Sequence, residues 1–535
     1  MMRKKVFKSI SIFLGLSLFV MGCAQVVAPT GGEKDTQPPR VEEIKPENET
    51  KNFSREQSIS ITFDEFVKLD QINEKVIVSP PLKHQLQTKL RGKTLHITFE
   101  DTLKEDATYV LNFNESIVDI TENNPLDFTY VFSTGDKIDS LAVSGRLVNA
   151  FDLKVVEDTW VALYDVLESD SLPMKEIPTY LDKTDKEGLF RITNVKAGKY
   201  RLLALADENK NLLIDKPTEK IAFHHEVIEL DGTSAYDSLK LFLFEEDKQK
   251  LFVKETGENG VNVILEFSRP TENLSFSLLD TNIEDVLIDS KLNEQEESLT
   301  LWFKNMPPQR FRLLLSGSDY ADTVKFKTDS LKSKSKLSLT EPLPASQPYY
   351  VPLRIAFNRP IKSVNKERIQ LLSADSVAVD FEVVKKEDEL SIFHLKADFM
   401  QDSTYHLLLR DSAFIDVYGR TNDSIPKTFS VDSENNYSML SVEVESKTES
   451  PKVIQLLDGQ GEVLREQMLG NEMIHFEHLK AGKFGLKLIM DANGNGKWDS
   501  GDYIKKVQPE SVWIYEEEID LRSNWDREIK WIIAD

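Results

Sequence analysis

Between residues 491 and 502 the chain reads Asp491-Ala492-Asn493-Gly494-Asn495-Gly496-Lys497-Trp498-Asp499-Ser500-Gly501-Asp502. Oxygen-bearing side chains fall at positions 1, 3, 5, 9 and 12 of that run, as Asp491, Asn493, Asn495, Asp499 and Asp502. Glycine stands at position 6, where the backbone must turn sharply, and Lys497 at position 7 can offer its carbonyl. Hard cations take oxygen ligands, and this is the ligand spacing of a Ca²⁺ loop. An Asp replaces the usual bidentate Glu at position 12, and only three of the side chains are charged. The expected affinity is therefore weak, on the order of 10⁻⁴ M or poorer. The same residues also suit a tight Asn-Gly turn whose side chains bond their own backbone without an ion. The spacing leaves both open.

A second run tests the pattern internally. Asp207, Asn209, Asn211 and Asp215 keep positions 1, 3, 5 and 9, but Leu212 stands where glycine is wanted and Thr218 falls at position 12. A structural turn is expected there. Catalytic constellations are otherwise hard to find. The eight histidines are scattered, and His475 and His478, three apart on an expected strand, would point to opposite faces. There is no Gly-x-Ser-x-Gly elbow and no glycine-rich phosphate loop. A non-enzymatic chain is expected.

The single cysteine, Cys23, lies directly behind a basic start (Arg3, Lys4, Lys5, Lys8) and an apolar stretch from Ile10 to Val20. These are the parts of an export signal, and the apolar run is shorter than the ~20 residues a membrane span needs. Val20-Met21-Gly22-Cys23 resembles a bacterial lipobox. That resemblance implies removal of residues 1–22 and a diacylglyceryl or acyl lipid on Cys23. Losing the four basic leader residues takes the net charge from −24 to −28. So acidic a body repels nucleic acid and anionic bilayer surfaces, which leaves the lipid as the expected membrane contact.

The elements that must hold these residues are strands. Ile59, Ile61 and Phe63 alternate with Ser60 and Thr62; Leu95, Ile97 and Phe99, then Tyr109, Leu111 and Phe113, repeat the pattern. A half-buried strand requires that period of two. Long helical periodicity is absent, with short helical turns expected near 69–75 and 364–369. The chain also repeats itself. Ile59-Ser60-Ile61-Thr62-Phe63 returns as Leu353-Arg354-Ile355-Ala356-Phe357, and Asp106-Ala107-Thr108-Tyr109 returns as Asp402-Ser403-Thr404-Tyr405. A second unit repeats independently: Val195-Lys196-Ala197-Gly198-Lys199-Tyr200 answers Leu479-Lys480-Ala481-Gly482-Lys483-Phe484. The expected fold class is all-β, a tandem series of β-sandwiches forming an elongated, semi-rigid chain. Its expected parts are a leader (1–22), a lipidated tether (23–37) and five modules at 38–136, 137–245, 246–332, 333–433 and 434–535.

The first and fourth modules resemble surface-layer-type bacterial Ig-like domains, on Phe63-Asp64-Glu65, Thr108-Tyr109 and Phe132-Ser133-Thr134-Gly135 in the first copy and Phe357-Asn358 and Phe429-Ser430-Val431 in the second. The second and fifth look like transthyretin-like or carboxypeptidase-regulatory-like sandwiches, on Gly188-Leu189-Phe190 and the turn Ala197-Gly198; the fifth offers Met473-Ile474-His475-Phe476 instead of Gly-x-Phe. A further Ig-like sandwich is expected at 246–332. The whole resembles multidomain envelope lipoproteins of Gram-negative bacteria. The resemblance implies a lipid-anchored outer-membrane protein that serves as a structural or accessory subunit, with an outer-membrane protein as partner. A free-standing adhesin or glycan-binding module is the alternative. A lipobox leaves the face of the membrane open, and Glu33 and Asp35 tilt it toward the surface. Asp-Ser/Thr before an apolar residue recurs at Ser140, Ser171, Ser238, Thr323, Ser330, Ser376, Ser412 and Ser424, and resembles an O-glycosylation sequon. Oligomeric state is not legible.

Overall fold

The computed structural model describes residues 35–533 apart from 55, 167–170, 234, 249–250, 259–261, 272–273, 280–286, 293–296, 304–309, 318–319, 328–335, 387–388 and 471. The leader, Cys23 and Ser330 lie outside the described residues. Almost every described element is a strand. The helix Ile72–Lys75 is a single turn, and the 3₁₀ turn Lys366–Arg368 is as short. Both fall inside the stretches where the sequence predicts helical turns.

The period of two does what it must. Ile59, Ile61 and Phe63 are fully buried on the strand Ile59–Phe63, while Ser60 and Thr62 are half-buried on its other face. Burying each such side chain contributes about 1.5–3 kcal/mol relative to exposure. Repeated along the chain, this builds five successive apolar cores. They centre on Phe63 and Phe132, on Val161 and Leu202, on Phe303 and Phe311, on Phe357 and Phe414, and on Leu456 and Leu488.

Each core lies between sheets. The first is closed by the four-stranded sheet containing Ile59–Phe63 and the three-stranded sheet containing Thr108–Asn112. The second and fifth share one strand order. In the second, Leu141–Asn149 pairs parallel with Tyr236–Leu243, and Gly198–Leu205 takes both Ile221–Phe223 and Ile228–Leu230 on one side. In the fifth, Tyr437–Glu445 pairs parallel with Arg527–Ile532, and Gly482–Met490 takes both Val512–Ile514 and Ile519–Leu521. All-β order with a tandem succession of sandwiches is thus the architecture.

Neighbouring sandwiches meet through specific contacts. Leu181 donates its N–H to Ser79 Oγ at 3.2 Å, and Lys196 pairs with Asp106 at 2.6 Å, between the first and second. The Tyr418 hydroxyl donates to the Phe303 carbonyl at 2.8 Å, between the third and fourth. Tyr350 stacks on His478 at 3.7 Å, with Tyr349 and Tyr437 edge-on, between the fourth and fifth.

The sandwiches are also joined out of sequence, the fifth against the second. Phe223 meets Tyr503 with ring centroids 5.5 Å apart, and Phe244 completes that buried cluster. Glu246 accepts the Tyr503 N–H at 2.7 Å, and Gln508 donates to the Phe223 carbonyl at 2.9 Å. A Cβ at Gly501 would stand 2.5 Å from Phe244 Cζ, so only glycine lets the backbone come this close. Phe151 lies edge-on to Trp498 at 5.2 Å, and the Lys487 ammonium sits over the Phe151 ring. Burial there pushes Lys487 down to about 8.

Candidate functional site in the paired loops

The loop after the strand Gly482–Met490 gathers five of the six residues the spacing singles out. Asp491 is fully buried at its root. Its carboxylate accepts the N–H groups of Gly494 at 2.7 Å, Asn495 at 3.0 Å and Gly496 at 2.8 Å. Gly494 and Gly496 have φ of 74° and 79°, the left-handed values that let three consecutive amides curl round one carboxylate. Asn493 and Asn495 each turn their side-chain amide onto Asp499 Oδ2, at 2.6 and 2.8 Å. Lys497 contributes its N–H to Asn495 Oδ1 at 2.8 Å.

Asp502 does not join them. Against the upward push of burial, the Lys505 N–H at 3.0 Å and the Lys505 ammonium at 3.0 Å hold its carboxyl below the usual range. The residue that does reach the loop is Glu510, which sequence spacing misses. Its two oxygens accept the N–H groups of Ala492 at 2.7 Å and Asp499 at 3.1 Å, tying the two ends of the loop together. Burial, reinforced by the Asp499 and Asp491 charges, raises Glu510 above the ordinary carboxylate value despite those amides.

The corresponding loop of the second sandwich has the same construction. Asp207 accepts from Asn211 and Leu212, and Asn209 and Asn211 direct their amides to Asp215 at 3.0 and 2.7 Å. Glu219, almost fully buried, accepts the Asp215 N–H at 3.0 Å, as Glu510 does for Asp499. Thr218 instead turns to Glu208. A signal for both glutamates was present: each stands two residues before a strand, Ile221–Phe223 and Val512–Ile514, and follows a proline closely. Leu212 takes φ of 60° where its counterpart Gly496 takes 79°.

In the fifth-sandwich loop the main-chain amides of Ala492, Gly494, Asn495, Gly496 and Asp499 and the side-chain amides of Asn493 and Asn495 all donate to carboxylates. The oxygen set of Asp491, Asn493, Asn495, Asp499 and Glu510 is hard and anionic, the chemistry Ca²⁺ prefers. Rotating an Asn carboxamide by half a turn exchanges its nitrogen for its oxygen, the change that would direct oxygens toward an ion. Among the described residues, those of this loop included, no three His, Cys, Asp or Glu side chains converge as a metal-holding group. His475 bonds Ser441 at 2.9 Å, and His478 is spent on Tyr350. Trp513 and Tyr515 pack against the fifth core, whereas Trp525 is exposed. Of the eight Asp-Ser/Thr acceptors, the seven described are all exposed or half-exposed.

Residues 35–134 match the bacterial Ig-like domain family Big_5, and the first sandwich is therefore an Ig-like domain. No curated protein sequence matches the chain. Among solved structures, the chain is similar to BcpA, the major pilin subunit of Bacillus cereus, at 12% identity over 74% of this chain and 99% of that one, TM-score 0.14. It is similar to surface layer protein SbsC, domains 1–6, at 10% identity over 91% and 68%, TM-score 0.14. It is also similar to SGBP-B of the Bacteroides ovatus mixed-linkage glucan utilization locus, a structure with a bound heptasaccharide, at 13% identity over 64% and 86%, TM-score 0.20. No described helix is long and apolar enough to cross a membrane.

Proposed function

We propose that this chain is a non-enzymatic lipoprotein, anchored in the outer membrane through an acyl lipid on Cys23, that acts as a structural or accessory subunit of an envelope protein assembly. The observation that supports this reading is an unequal pair of sheet edges. In the second sandwich the edge strand Tyr180–Lys183 is covered by the first sandwich, whose Ile77 packs with Leu181. In the fifth, the matching edge strand Val463–Met468 is bare, and Val463, Leu464 and Met468 are about half exposed. A bare apolar edge invites a partner strand. The test is co-purification of the tagged protein from envelopes with and without Leu464→Lys and Met468→Lys. Loss of a stoichiometric partner in the variant supports docking at this edge; a partner retained unchanged places docking elsewhere.

Calcium belongs to the same reading. Ca²⁺ would be held by Asp491, Asn493, Asn495 and Asp499, with the Lys497 carbonyl and Glu510 completing the oxygen set, and Asp502 left outside. There it would stiffen the loop that carries Trp498, Gly501 and Tyr503 against the second sandwich. A free-standing adhesin or glycan-binding module remains the second reading.

A further inference from the structure

A cleft of about 1040 Å³ opens between the first and second sandwiches. Its walls are strained to an unusual degree. Among the described residues, eighteen non-glycine residues have a left-handed φ, and six of them line this one cleft: Gln71, Asn114, Glu115, Asp158, Lys210 and Leu212. Asn114 and Asp158 adopt it readily, but for Gln71, Glu115, Lys210 and Leu212 it costs about 1 kcal/mol or more each, and such costs persist where the surrounding structure holds a surface in a set shape. Leu212 makes the point most directly. Its counterpart in the fifth sandwich is glycine, yet here the same left-handed turn carries a leucine whose side chain faces the cleft.

The lining tells what would fit. Five carboxamides, Gln71, Asn73, Gln85, Asn112 and Asn114, stand along it, and each both donates and accepts hydrogen bonds. A sugar hydroxyl has the same double capacity. Three of the lysines are already held: Lys75 by Asp70 at 2.5 Å, Lys183 by Asp158 at 2.5 Å and Lys210 by Glu74 at 3.6 Å. Carboxylates outnumber basic groups in the lining, which repels phosphate, sulfate and uronate polymers. Trp160, with the Lys183 ammonium 4.6 Å over its ring, and Leu212 supply some apolar surface, which continues into an adjoining recess of about 340 Å³ lined by Ile72, Val76 and Leu82. Apolar surface set among polar groups suits pyranose rings, whose C–H faces pack on it while the polar groups fix orientation.

We propose that this cleft binds an uncharged oligosaccharide, with the carboxamides of Asn73 and Gln85 reading its hydroxyls beside the Trp160 and Leu212 surface. The inference is independent of the docking edge on the fifth sandwich. It is tested on the full mature chain carrying Cys23→Ser, by calorimetric titration with neutral gluco-, manno-, xylo- and galacto-hexasaccharides, with hexagalacturonate and oligolysine as charged comparisons. At least one neutral hexasaccharide is expected to bind, with affinity reduced about tenfold or more in the Asn73→Ala, Gln85→Ala double variant. Both residues are exposed, so the variant should melt at the temperature of the parent. Absence of binding by every neutral sugar at millimolar concentration overturns the proposal. So does binding that the double variant leaves unchanged, or a preference for either charged comparison.

Discussion

The carboxylate of Glu246 accepts the backbone N–H of Tyr503 at 2.7 Å, joining residues 257 positions apart and locking the fifth sandwich to the second. The bond is buried, and the Phe223, Phe244 and Tyr503 rings surround it. A buried amide left without an acceptor costs about 1–3 kcal/mol. Glu246→Ala should therefore lower stability by about that amount, measured by denaturant unfolding. Small-angle scattering should show the variant more extended than the parent, because the contact that folds the chain back is weakened. A variant with unchanged dimensions and midpoint would mean that the aromatic cluster alone holds the two sandwiches.

Lys487 makes the same contact dependent on pH. Its ammonium is depressed to about 8 by burial, below the usual lysine value near 10.5. Below pH 8 both folded and unfolded chains carry the proton, and the full cost of burying the charge is present. Between about 8 and 10.5 the unfolded chain binds more protons, so stability rises with pH. Relative to Lys487→Met, the melting temperature of the parent should climb across that window. A constant difference between the two proteins from pH 7 to 10 would contradict the buried charge.

Calcium is checked by melting the protein with and without added ion. At a concentration 100-fold above a dissociation constant near 10⁻⁴ M, stabilisation should be about 2.7 kcal/mol. Asp499→Ala should abolish the shift, and Asp502→Ala should leave it, since Asp502 is turned to Lys505. Glu510, raised by burial above the ordinary glutamate value, takes its proton earlier than an ordinary glutamate as pH falls, so the calcium shift should fade on acidification. An equal shift in Asp499→Ala would assign the ion to another place.

Acylation is read by mass and by partition. The parent should leave the cell envelope only in detergent and carry the added mass of the acyl groups on Cys23. Cys23→Ala should retain its leader or appear in the soluble fraction. Mass beyond the lipid, mapped to exposed Ser140, Ser238, Ser376 or Ser424, would mark the Asp-Ser sites as modified. Mass equal to protein plus lipid would remove that expectation.

The strands were legible because a half-buried strand must alternate, and Ile59-Ser60-Ile61-Thr62-Phe63 can bury one face in no other way. Repetition made the shared construction of the Asp207 and Asp491 loops legible too. Glu510 was missed because it enters from beyond the twelve-residue spacing and bonds main-chain N–H groups; its place after a proline and two residues before the strand Val512–Ile514 was the only cue. The contact between the second and fifth sandwiches was equally hidden. Phe151, Phe223 and Phe244 look like ordinary strand-end aromatics until Trp498 and Tyr503 come back to meet them. The cleft between the first two sandwiches escaped for a related reason, since backbone strain at Gln71, Glu115 and Leu212 has no fixed residue code outside glycine.

The central claim is that this chain is an accessory subunit of a membrane assembly. Its most direct test is purification of C-terminally tagged protein from envelopes in mild detergent, followed by sizing and mass spectrometry. One stable complex containing an integral outer-membrane protein in fixed ratio to this chain is expected. Recovery of the chain alone, at the size of a monomer, would contradict it.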